Sequence, residues 1–202
     1  MRHSSEAWLL AALSAFTVTG VAALRLYEGQ DAMQGDPLAP VFVTQPDPSQ
    51  LDAAAWFGGV RQYCNPVEVD THLRLEPAPP TPEGDMYEAA CYALAGRTYQ
   101  AREVIRGLPE GQRYLAAGVV FEAGHAAADA GDDVAAGPLM EVVVEFWPNH
   151  YMALYHAGAA RYENGDYDGA RNYLTRFMAE YATDDGWRSS ASGMLQAIAE
   201  RR

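Results

Sequence analysis

Five histidines, two cysteines and two aspartate pairs are the side chains through which this chain could do chemistry. The histidines are His3, His72, His125, His150 and His156. Imidazoles take up a metal when ligand spacing brings them together, as in HExxH on one helical face. No histidine here stands in that motif or in another recognised metal-ligand spacing. His150 and His156 are six residues apart and do not share a helical face closely, so no metal site is expected. Asp132-Asp133 and Asp184-Asp185 fall where helices should start, and capping explains them better than paired-carboxylate catalysis. No P-loop, GxGxxG or GxSxG motif occurs. The expectation is a protein that is not an enzyme and carries no cofactor.

Cys64 and Cys91 allow one disulfide. Outside the cytoplasm it would staple a leading helix to the segment that follows and restrict the unfolded chain. Cys91 falls on a predicted helix, where a buried free thiol is equally natural, and the sequence leaves both readings open. There is no CxxCH and no CxxC, so neither covalent haem nor a redox pair is signalled.

The elements that must position these side chains are set by a repeat. Gly96, Gly131 and Gly165 each precede an alanine by five residues, namely Ala101, Ala136 and Ala170. Both markers recur at 34–35 residues, the mark of a repeated structural unit. The last copy runs Leu154, Gly158, Tyr162, Gly165, Tyr167, Ala170, Leu174, Phe177. Gly158 and Ala170 are small where two helices would press closest, and Gly165 suits a helix C-terminus that needs positive φ. The middle copy starts near Ala117 and runs Val120, Gly124, Gly131, Ala136, Met140, Val143, Pro148. Pro138 sits in its second helix, which must either begin late or kink. The first copy starts near Pro82, with Thr81 as N-cap, and runs Ala89, Tyr92, Gly96, Ala101, Ile105, Leu108. After the third copy, Thr183-Asp184-Asp185 can cap a final helix whose apolar face is Trp187, Ala191, Met194, Leu195 and Ile198.

This pattern resembles the tetratricopeptide repeat (TPR) family over about residues 82–200. The resemblance implies an α-solenoid of three helix pairs with a C-terminal capping helix over residues 82–202. It also implies that the first helix of each unit lines a concave, partner-binding groove. The groove residues would be Met86 and Ala90, then Phe121, His125 and Ala128, then Met152, Tyr155, Ala159 and Tyr162, with Asp129 and Glu163 at the edge. The alternative reading is that some of these side chains pack on the adjacent unit instead, and both readings stay open. Family members that clamp a terminal carboxylate use basic and amide side chains along these helices. Phe121 and Tyr155 occupy such positions here, so that mode is set aside.

The front of the chain reads differently. Residues 7–24 carry no charge and, as a helix, would span roughly 27 Å, enough for a bilayer core. Residues 1–27 are therefore expected to be a membrane anchor, with a cleavable signal peptide as the competing reading. Residues 28–81 form a Pro-rich linker with one helix from Asp47-Pro48 through about Tyr63. Its buried side would use Leu51, Ala54, Ala55, Phe57 and Val60. Residues 67–75 alternate apolar and polar, as a short strand does, with residues 41–43 as the evident local partner. Pro77, Pro79, Pro80 and Pro82 would then form a stiff spacer. The fold class is thus mainly α, with a short mixed segment before the repeats.

All 14 basic residues are arginine, which together with heavy alanine use points to a GC-rich bacterial genome. The net charge is −13, and residues 28–202 hold 26 acids against 12 arginines. That sign excludes a nucleic-acid surface and leaves the anchor as the membrane contact. The expected function is a non-catalytic protein–protein interaction scaffold. It would be single-pass in the inner membrane, with its N-terminus cytoplasmic and its repeats periplasmic. Two alternatives stand beside it: a structural accessory subunit of a respiratory or photosynthetic membrane complex, and a secreted periplasmic repeat protein.

Overall fold

The computed structural model describes residues 52–201. Among these residues there are nine α-helices and no strand. They are α1 (Ala53–Val60), followed by a 3-10 turn (Arg61–Tyr63), then α2 (Val69–Leu75), α3 (Pro82–Leu94) and α4 (Thr98–Gly107). The remainder are α5 (Glu110–Asp129), α6 (Asp133–Phe146), α7 (Tyr151–Glu163), α8 (Tyr167–Glu180) and α9 (Gly186–Glu200). No helix of the described residues is long and apolar enough to cross a membrane. The span expected at residues 7–24 lies outside them.

The repeat markers acquire a geometric meaning. Gly96, Gly131 and Gly165 have φ of 71°, 88° and 77°, and no other described residue has positive φ. Each closes its helix with the same two bonds. The N–H of Gly96 donates to Ala93 O and that of Arg97 to Tyr92 O (3.0 and 2.8 Å). Gly131 and Asp132 repeat this onto Ala128 and Ala127, and Gly165 and Asp166 repeat it onto Tyr162 and Arg161. This is the Schellman turn, whose left-handed residue only glycine adopts without a Cβ penalty. The following residue then opens the next helix: Asp132 caps Ala135 N–H and Asp166 caps Gly169 N–H. Each turn is so short that the paired helices fold back on one another.

The small residues sit where the pairs touch. A Cβ on Gly124 would lie 2.7 Å from a δ-carbon of Leu139, and one on Gly158 would lie 2.7 Å from Cγ of Leu174. The same knob therefore meets the same hole one unit later. Each helix from α3 onward packs on its neighbours in the chain, and α3 also packs on α5. α6 runs uninterrupted through Pro138, which is exposed, as is Val134 (44%), whose carbonyl loses the proline's missing N–H on the solvent side. Thr81 and Asp185 cap α3 and α9 as expected.

Three expectations are corrected. Residues 67–75 do not form a strand: Val69–Leu75 is helical, with Val69 and Leu73 buried while Val67 and Leu75 are 87% and 72% exposed. Strict alternation contains the i, i+4 pair that a short helix needs; the partner expected at residues 41–43 lies outside the described residues. Asn65 decides the matter locally, because its side chain accepts from the N–H groups of Val67 and Glu68 (both 3.1 Å). The leading helix begins at Ala53, capped by Asp52, with Ala54 and Ala55 exposed and Trp56 buried beside Phe57 and Val60. The middle unit starts at Glu110 and not near Ala117, so α5 is 20 residues long against 13 for α3 and α7.

One core runs through the whole described region, from Trp56 and Val69 to Ala191 and Ile198. It passes across the boundary expected at residue 81. Cys64 and Cys91 form a disulfide, Arg61 donates to Ala123 O (2.9 Å), and the Phe57 ring packs at a tilt against Tyr87 (5.2 Å), so the leading segment is fastened to α3 and α5. The proline segment turns back along this body. Trp56 Nε1 donates to Glu76 O (3.2 Å), and Pro79 is buried.

Candidate functional site

Two features of α5, α6 and α7 bear on function. The first is an aromatic network. Phe121 lies 4.3 Å from His125 and 4.1 Å from His150, ring centre to ring centre. His150 meets Trp147 (4.6 Å), and Trp147 meets Tyr114 (6.2 Å). Farther along, Tyr155 is packed among His156, Phe177 and Trp187 (5.3, 5.3 and 4.9 Å). Tyr151 stacks on Tyr181 (5.0 Å).

This network sorts the expected groove residues. Met86, Phe121 and Tyr155 are buried, at 7%, 7% and 8% exposure, as are Ala90, Ala128 and Ala159. For these six the packing reading holds. His125, Met152 and Tyr162 are half-buried. Tyr155 lost its solvent face because Trp187 of α9 covers it, a contact that the repeat register by itself did not imply. The open aromatic surface lies instead at the start of α5 and α7. Tyr114 and Leu115 are 50% and 46% exposed, on the extra turns of α5, and Tyr151 is 44% exposed.

The second feature is a cluster of imidazoles and carboxylates. His156, in the middle of α7, is 0% exposed, the one fully buried polar side chain among the described residues. Its Nδ1 is 2.6 Å from Oδ1 of Asp133, which opens α6 just after the cap Asp132. A carboxylate only accepts, so Nδ1 carries the hydrogen and, in the neutral ring, Nε2 is left with a bare lone pair. His125 and Asp129 lie one turn apart near the end of α5, with His125 Nε2 3.2 Å from Asp129 Oδ1. His156 Nε2 is 4.0 Å from the same oxygen. Neither Nε2 has an aligned hydrogen-bond partner among the described residues, although both are shielded from solvent. Three donors, one each from His125, Asp129 and His156, thus lie within 4.8 Å of one another. This is a donor set that could hold a metal ion.

The other histidines have different work. His150 Nδ1 accepts from the N–H of Ala153 (3.2 Å) and caps α7. Burial pushes its pKa down, which keeps the ring neutral and Nδ1 available as an acceptor. His72 stacks on Tyr63 (3.7 Å) beside Glu76. His3 lies outside the described residues. Asp184 is exposed, and Asp185 is held in its charged form first by the hydrogen bond from Tyr181 and also by the N–H groups it caps. Both aspartate pairs therefore supply a helix cap, as expected. Asp133 adds a second role that spacing rules did not assign.

Sequence reasoning missed His156 entirely. It compared His150 with His156 along one helix, whereas the true neighbour of His156 is His125, 31 residues earlier on a different helix. The usable signals were the i, i+4 pair His125/Asp129 and the repeat, which lays α5 beside α7. Among known proteins, no family model, no characterised protein and no solved structure matches this chain.

Proposed function

We propose that the chain is a non-catalytic protein-binding scaffold built on an α-solenoid of TPR-like helix pairs, with α9 as the cap. The observation that carries this is the unit itself: one Schellman turn recurs three times at 34–35 residues, and one glycine–leucine contact recurs twice. A stack of identical helix pairs yields an extended surface, and such surfaces bind other chains. The Cys64–Cys91 bond supports a location outside the cytoplasm, where disulfides persist. Residues 7–24 then serve as a single-pass inner-membrane anchor. The acidic balance of residues 28–202 keeps the domain off anionic lipid and suits a basic partner.

The binding strip is the exposed aromatic edge rather than the row first expected. Tyr114 and Tyr151 offer rigid contact area at little entropic cost, half-buried Trp147 backs Tyr114, and Leu115 extends the strip. The full chain, purified in mild detergent, should retain a protein partner identifiable by mass spectrometry. Tyr114→Ala combined with Tyr151→Ala should then weaken that partner's binding about tenfold or more at an unchanged melting temperature. Unchanged affinity in the double variant would sink the strip. An intact mass lacking about residues 1–23 would sink the anchor. A complex of fixed stoichiometry would favour the accessory-subunit alternative.

A further inference from the structure

We propose that His125 Nε2, His156 Nε2 and the Asp129 carboxylate bind a divalent first-row transition cation, with Zn²⁺ the best fit. The inference is independent of the scaffold reading. Two imidazoles and one carboxylate are ligands that suit Zn²⁺ and its neighbours better than Mg²⁺ or Ca²⁺, which prefer all-oxygen shells.

His156 is prepared for the role. The Asp133 oxygen 2.6 Å from Nδ1 fixes the tautomer, holds the ring in place and turns the Nε2 lone pair toward Asp129. Metal-ligating histidines are held in this way, their second nitrogen donating to a carboxylate. A fully buried imidazole nitrogen with no aligned partner is costly unless something fills its lone pair. Asp129 and Asp133 also bring two negative charges to one spot, which a divalent cation would balance.

The repeat provides an internal control. In the register of the turn glycines, the position of His125 is Ala90 or Ala159 in the other units, that of His156 is Glu122 or Tyr87, and that of Asp129 is Leu94 or Glu163. The repeat itself therefore does not call for imidazole at these places. The geometry needs only a modest closure. Ligands at metal distance from a tetrahedral ion stand about 3.3 Å apart, and the donors already lie within 4.8 Å. Torsions of His125 and Asp129, half-exposed on α5, can supply the difference while His156 stays fixed. Asp129 is half-exposed, so a fourth ligand, water or a partner's side chain, would approach from its side.

The test uses the full chain in mild detergent after dialysis against a chelator. Co²⁺ is added as the spectroscopic probe, and Zn²⁺ is added for calorimetric titration. The expected result is one ion per chain, with d–d absorption of low-symmetry N/O coordination that Zn²⁺ abolishes. His125→Ala and Asp129→Asn should each weaken binding about tenfold or more, and Asp129→Asn, at the half-exposed position, should leave the metal-free melting curve unchanged. Asp133→Asn should weaken it about 10–100-fold. His72→Ala should bind as the unaltered chain does. Absence of one-to-one binding in the unaltered chain would overturn the proposal, as would equal affinity in the His125→Ala and Asp129→Asn variants. The second outcome would place any bound ion elsewhere and leave the His156–Asp133 contact a purely structural one.

Discussion

Cutting the Cys64–Cys91 bond should cost about 3.5 kcal/mol of stability and yet leave the leading segment docked. The bond joins residues 27 apart in sequence. On the chain-entropy account, closing a loop of that length removes about 12 cal/mol/K from the unfolded ensemble, or about 3.5 kcal/mol at 25 °C. Both sulfurs lie in the core, with Cys64 7% and Cys91 1% exposed, so Cys64→Ala with Cys91→Ala adds a small packing loss that reduction alone does not. Docking should survive, because Phe57, Val60, Val69 and Leu73 are buried in the common core and Arg61 still reaches Ala123 O. The assay is urea unfolding of the full chain in detergent, oxidised, reduced and as the double variant. With a slope of about 2 kcal/mol/M, the midpoint should fall by roughly 1.5–2 M. Amide exchange in α1 should stay slow in the reduced protein under native conditions. A midpoint shift below about 0.3 M would refute the entropic reasoning. Rapid exchange throughout α1 would refute the claim that packing, apart from the bond, holds it.

Gly158→Ala should destabilise by about 1–3 kcal/mol, since the new methyl would meet Leu174 Cγ at 2.7 Å in a closed core. Combining it with Leu174→Ala should cost clearly less than the two single changes added, because the methyl enters the space that leucine vacates; additive losses in a denaturation cycle would refute that contact. Glu145 accepts from Arg102 Nε and Arg106 Nη2 (both 2.6 Å), tying α4 to α6. Partial burial pushes its pKa up, but these bonds outweigh it and hold the carboxyl below its ordinary value. A depressed carboxyl contributes stability above the unfolded pKa and loses it as pH falls through the folded one. Glu145→Gln should therefore be less stable near pH 7 by no more than about 1 kcal/mol, since the side chain is 35% exposed and solvent screens it. The gap between the two melting curves should close as pH falls from the ordinary glutamate range through the depressed folded value; a gap that widens on acidification would contradict the assignment.

Much of the helical framework was legible because its signals are local. Positive φ at Gly96, Gly131 and Gly165, and the caps at Thr81 and Asp185, act within a few residues of themselves, so residue type nearly dictates the outcome. The failures share one cause. At residues 67–75 the letters fitted both periods, and the decision came from Asn65 and from burial of Val69 and Leu73 against other helices. Phe121 and Tyr155 sat at positions that face either a partner or the next unit. His150, Trp147 and Trp187, all reached through tertiary packing, assigned them to the core.

The sequence by itself determined a register of paired helices, where each pair turns, which residues are small at the contacts, and that the domain is acidic. Local backbone preference and helical periodicity suffice for those, because both are properties of short segments. Only the tertiary structure decided that Cys64 reaches Cys91, that α5 extends an exposed aromatic edge, and that His156 meets Asp133, His125 and Asp129. These depend on how helices tens of residues apart slide and rotate against one another, and that is set by the packing of the whole core.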